Sequence, residues 1–143
     1  ESGEAPGDAA GLVPGGTLGD TLELVPLPGG GDDAYIDQAT FHDQFCADLP
    51  ERQARLMAVT QRPIAVAALG EASGPHPLWR DIPSWFVFGD EDRNIPAGAH
   101  RIMADRANAK RTVEIAGASH VVGTSHPAET AALIAEAAAS SQP

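Results

Sequence analysis

The chain has 143 residues with 9 Lys and Arg against 20 Asp and Glu, a formal net charge of −11, which suits one domain with its own core and repels phosphate, so no nucleic-acid partner is expected. No apolar run reaches the roughly 18 residues of a membrane span, and Cys46, the single cysteine, permits neither an internal disulfide nor a Cys-x-x-Cys metal pair. With nothing resembling a signal peptide, the cytoplasm is the expected compartment. The start at Glu1 rather than Met leaves a processed product or a fragment as the expectation.

Residues 1–31 carry GLVPGG, VPLP and GGG, breakers that leave room for a short helical turn and one brief extended segment. They are expected to form a connection. From 37 to about 60 the apolar spacing changes to that of helices: Phe41 and Phe45 are four apart, and Pro50 suits the first position of a second helix. A third helix is predicted at 63–69, completing a helical region over 32–80 whose apolar sides include Phe41, Phe45, Leu49, Leu56, Met57, Val59 and Ile64. Phe41 and Phe45 fit either the core of this region or the wall of a pocket.

Beyond SGPHP, Trp85–Phe88 is apolar without alternation, as in a strand buried on both faces. A helix over about 96–107, a second strand at Thr112–Ile115 and a helix over 127–139, with Pro127 and Glu129 well placed at its start, complete residues 81–143. The order is strand, helix, strand, helix, so the class is α/β with a parallel pair.

In open α/β sheets, chemistry collects beyond the carboxyl ends of the strands. Gly89 and Gly117 mark those ends, so Asp90, Glu91, Asp92 and His120 belong to one edge. A carboxylate on the far nitrogen of an imidazole fixes its tautomer and lets the near nitrogen act as a general base. Taken singly, each residue is equally a turn former or a locally bonded loop residue. Spacing leaves both readings open.

WFVFGDEDRNIP, then TVEIAGASH, then HPAETAALI resembles the carboxyl-terminal half of an α/β-hydrolase, and FHDQFCADLPERQARLMAVTQRPIAVAAL resembles the helical cap of the small esterases related to plant methylesterases and hydroxynitrile lyases. The resemblance covers most of residues 20–138. It implies the carboxyl-terminal part of an α/β-hydrolase fold, parallel strands with flanking helices and a helical cap, with the amino-terminal half absent. It further implies Asp92 as the catalytic acid, placed as in GxxDxxIP, His120 as the base, Asp90 and Glu91 as loop acids, a small ester as substrate and no cofactor.

The family nucleophile lies in GxSxG on a strand-to-helix turn, and no GxSxG occurs here. Ser73, in GEASG, lacks that context, and Cys46 reads as a packing residue. Hydroxynitrile lyases of this type place Lys directly after the catalytic His, where this chain has Val121, so ester hydrolysis is favoured over carbon–carbon cleavage. His120 and His126 lack zinc-ligand spacing and no metal is expected; His42, His76 and His100 read as solvent-facing or locally satisfied. Two readings remain: part of an esterase whose nucleophile lies elsewhere, or a non-catalytic remnant acting as an interaction module. An unpaired strand edge would make the chain marginally stable and prone to self-association.

Overall fold

The computed structural model describes residues 3–140, beginning with one short helix, α1, at Asp8–Gly11. Leu22–Pro26 (β1) and Asp32–Ile36 (β2) pair antiparallel. Gly30 and Gly31 turn the chain between them with φ of 92° and 82°, values open to glycine without strain. β1 is the extended segment that the sequence predicts. β2 falls where only helices are expected, because DDAYI opens with two acids, poor strand formers, directly after three glycines.

Phe41–Phe45 (α2) and Glu51–Thr60 (α3) are the two predicted helices, and Pro50 stands at the N-cap of α3 rather than in its first turn. The helix predicted at 63–69 is divided. Ile64–Ala65 (β3) pairs with β2, and only Val66–Gly70 (α4) is helical. Pro63 and the β-branched Ile64 favour extended backbone at this point. The main apolar cluster joins Ile36, Phe41, Cys46, Leu49, Ala54 and Ala58, and Phe45, Met57 and Val121 pack against it.

The back half follows the predicted order: Trp85–Gly89 (β4), Ala97–Arg106 (α5), Arg111–Ile115 (β5), a four-residue helix Val122–Ser125 (α6) and Pro127–Ser140 (α7). β4 and β5 are parallel with Gly89 opposite Ile115, so both strands end at one level. Burial on both faces does not hold. Only Phe88 and Gly89 of β4 are buried, and Arg111, Thr112 and Glu114 of β5 are exposed. Two of the five β5 residues are charged and make ion pairs at the surface, Glu114 with Arg101 of α5 and Arg111 with Glu136 of α7. Among the described residues, no helix is long and apolar enough to cross a membrane.

Candidate active site

β4 ends in glycine because its last residue runs directly under the loop that follows β5. A Cβ on Gly89 would lie 2.0 Å from the carbonyl oxygen of Ala118 and 2.6 Å from that of Ser119. The two loops are also stitched by backbone. The amides of Asp90 and Glu91 donate to the carbonyls of Ile115 and Ala118 at 3.2 and 3.1 Å. Asp90 accepts the Gly117 amide on Oδ1 at 2.6 Å, and Gly117 turns with φ 73°. Asp90 is therefore engaged in joining the loops, and Glu91 is exposed.

Asp92 points inward. Its Oδ1 accepts the amides of Asn94 and Ile95 at 2.8 and 3.0 Å, an Asx-type turn that fixes the carboxylate plane. Its Oδ2 lies 2.7 Å from Nδ1 of His120 and 3.1 Å from Nε2 of His100. The side chain is 2% exposed. Burial opposes its ionisation, yet the bonds from His100 and His120, the charge on His120 and the Ile95 amide outweigh it and hold the carboxyl well below the usual carboxylate range. His100, expected to face solvent or be satisfied locally, is satisfied by Asp92 eight residues earlier, and its ring stacks on Phe88 with centroids 4.8 Å apart and planes at 11°.

His120 borders a cavity of 560 Å³ whose walls are largely apolar and come from the cap, among them Phe41, Phe45, Met57, Ile64 and Leu69. The Phe45 and His120 rings have centroids 5.1 Å apart, and Phe41 lies 5.1 Å from Phe45 in the same measure. Phe41 is buried in the core cluster while also lining this cavity, so the two alternatives left open by the sequence coexist. A separate 340 Å³ hollow is bordered by Trp79, Phe86, Met103 and Ser73. Ser73 does not line the cavity of His120.

Residues 43–48 of the cap hold both loops. Gln44 donates to Asn94 at 2.8 Å and accepts from Thr17 at 2.9 Å, while Arg93 reaches the Asp43 carbonyl at 3.1 Å. On the other side, the buried Ser119 hydroxyl donates to Asp48. Burial raises the pKa of Asp48, but hydrogen bonding led by Ser119 lowers it further, and the net direction is down. The other oxygen of Asp48 is buried without a hydrogen bond, and His126 Nε2 is 3.7 Å from it. Cys46 is fully buried, and burial followed by the charge of Asp48 pushes its thiol up. That is the setting of a packing residue rather than a thiolate nucleophile. His42 is satisfied locally by the Leu49 carbonyl at 2.8 Å, and His76 is exposed. Among the described residues, no three His, Cys, Asp or Glu converge as a metal site.

Sequence reasoning missed His100, Asp48, Ser119 and Gln44. His100 alone left a signal, eight residues after Asp92 in the first turn of the helix that follows the acid loop. The others act through contacts across 50 to 71 residues of sequence, which no local pattern encodes.

A carboxylate and a histidine held at the ends of neighbouring parallel strands, beneath a helical cap, place the molecule in a known class. The family model described as "Alpha/beta hydrolase family" matches residues 4–133, and the chain belongs to that family. No curated protein matches it. Solved structures share the fold. A polyneuridine aldehyde esterase is 16% identical with a TM-score of 0.66, covering 82% of this chain and 48% of its own. An extracellular alpha/beta-hydrolase from a Paenibacillus species, described as sharing structural and functional homology with Tobacco Salicylic Acid Binding Protein 2, is 19% identical with a TM-score of 0.63, covering 96% and 57%. A pyrethroid hydrolase from Sphingobium faniae JZ-2 is 17% identical with a TM-score of 0.62, covering 95% and 55%. The chain thus spans about half the length of these structures and shares the fold of that part of them.

Proposed function

We propose that this chain supplies the cap, the acid and the base of a serine esterase acting on small esters, and that the nucleophilic serine comes from a segment outside these 143 residues. The observation that carries this reading is the 2.7 Å contact between Asp92 Oδ2 and His120 Nδ1 beside an apolar cavity. With Nδ1–H donated to Asp92, Nε2 of His120 is the free base. It takes the proton of the attacking serine hydroxyl as the acyl–oxygen bond forms, then delivers it to the departing alkoxide as the ester bond breaks. A water molecule repeats the sequence on the acyl-enzyme and releases the acid. Asp92 remains ionised throughout and stabilises the imidazolium. The esterase and hydrolase names of the similar structures support the ester as substrate class, as does Val121, which packs on the cap core and offers no charge beside His120.

One observation favours a second reading, a module for association: β4 pairs only with β5 among the described residues. Sedimentation tests it, since association through that edge gives dimers or larger species and a monomer would exclude the association reading. The test of the esterase reading is to look for an in-frame Gly-x-Ser-x-Gly upstream of Glu1 and to assay both forms. The 143-residue chain should hydrolyse an activated aryl ester no faster than free imidazole, and the extended polypeptide should show a burst and be labelled by a serine-directed phosphonate. Stoichiometric labelling of the short chain at Ser73 or Ser119, or an extended frame with no nucleophile, would overturn the reading.

A further inference from the structure

Asp92 carries one more partner than an acid–base pair needs. Two backbone amides occupy Oδ1 and leave Oδ2 alone to receive side chains. Both lone pairs of that one oxygen are used by imidazoles, His120 through Nδ1 at 2.7 Å and His100 through Nε2 at 3.1 Å. His100 is not a mobile surface group. It is in the first turn of α5, its side chain is 16% exposed, and Phe88 of β4 supports one face of its ring. Asp92, from the loop after β4, bonds it, His120 shares that oxygen from the loop after β5, and Phe88 of β4 stacks on its ring.

We propose that His100 is a positioning residue that shares the Asp92 carboxylate with His120, donating Nε2–H to Oδ2 so that the carboxylate is held ionised and its pull on the His120 Nδ1 proton is moderated. The role in turnover rests on the esterase reading, but the sharing itself is a property of this chain. An ionised carboxylate accepts and does not donate, so the proton of a neutral His100 must sit on Nε2. Two donors on one oxygen divide its electron density, and each bond is weaker than it would be alone. Removing His100 therefore leaves the oxygen entirely to His120. The His120 to Asp92 bond shortens.

The experiment uses the full chain with histidines labelled with 15N, in the wild type, H100F, H100Q and D92N. Nitrogen shifts report the tautomers of His100 and His120, and the proton on Nδ1 of His120 reports the strength of its bond to Asp92. We expect the Nε2–H tautomer for His100. In H100F, which keeps a ring on Phe88 but has no donor, the His120 Nδ1 proton moves downfield. In H100Q, whose amide reaches the same oxygen, it returns to the wild-type position. Should H100F not fold, H100M keeps the contact with Phe88 without a donor and makes the same comparison. The Nδ1–H tautomer at His100, or a His120 proton unmoved in H100F and H100M, overturns the proposal. D92N separates this failure from that of the esterase reading. If D92N changes the His120 signal and the His100 variants do not, only the sharing is wrong; if D92N also leaves it unchanged, the acid–base pair is wrong.

Discussion

Around Asp92 both carboxylate oxygens are bonded, the strand end is so close to its neighbour that a methyl group has no room, and two cap residues, Gln44 and Asp48, tie down the two loops. The β1–β2 hairpin is built by other means. Leu24, Val25 and Leu27 are 55%, 48% and 38% exposed, and a regular antiparallel ladder over five residue pairs carries the order. Position matters to a fraction of an ångström in the first region and far less on the exposed residues of β1. Mutations should separate the two regions by their energetic cost.

The largest effect is expected from Gly89→Ala. The added methyl must displace the backbone of Ala118 and Ser119, which moves the His120 loop, at a cost of about 3 kcal/mol or more. Chemical denaturation measures it, and a loss below about 1 kcal/mol would show that the loops slide freely.

Asp92→Asn should follow at about 2–3 kcal/mol, since a buried acceptor of four hydrogen bonds becomes one with a donor facing an imidazole. Acid sensitivity is linked to the same group. The folded carboxyls of Asp92 and Asp48 lie below their unfolded value of about 3.9, so the stability they contribute is fully present above that pH and is lost as pH falls toward the folded values. Thermal unfolding followed from pH 6 down to pH 3 should drop more steeply in the wild type than in Asp92→Asn. Parallel curves would mean that Asp92 is no better held folded than unfolded.

Ser119→Ala, which removes the tie from the His120 loop to Asp48 of the cap, should cost about 1–2 kcal/mol because a largely buried carboxylate loses a donor. The smallest effect belongs to the hairpin. Leu24→Thr on its exposed face should stay within about 0.5 kcal/mol, and a cost comparable with Ser119→Ala would reveal packing on β1 that its exposure does not suggest.

The same contrast governs what the sequence discloses. Apolar runs ended by glycine and acids disclose β4, β5 and the placing of Asp92 and His120 at one edge, because strand ends leave local chemical marks. Breakers disclose the turn before β2 but not β2 itself, whose order depends on pairing with β1 rather than on its own composition. β3 is hidden in the same way within an apolar stretch that also reads as helix. The network behind the site is the least legible part. Gln44 to Asn94 and Ser119 to Asp48 are long-range bonds between ordinary polar residues, and their meaning lies wholly in the fold.

The proposed orientation of His120 by Asp92 for ester hydrolysis is tested directly by kcat/KM on an activated aryl ester, measured on a polypeptide joining this chain to the proposed Gly-x-Ser-x-Gly segment. Replacing Asp92 by Asn keeps the shape but favours the wrong His120 tautomer, and the predicted loss is about 10⁴-fold at neutral pH. An Asp92→Asn form within tenfold of the wild type would contradict the account.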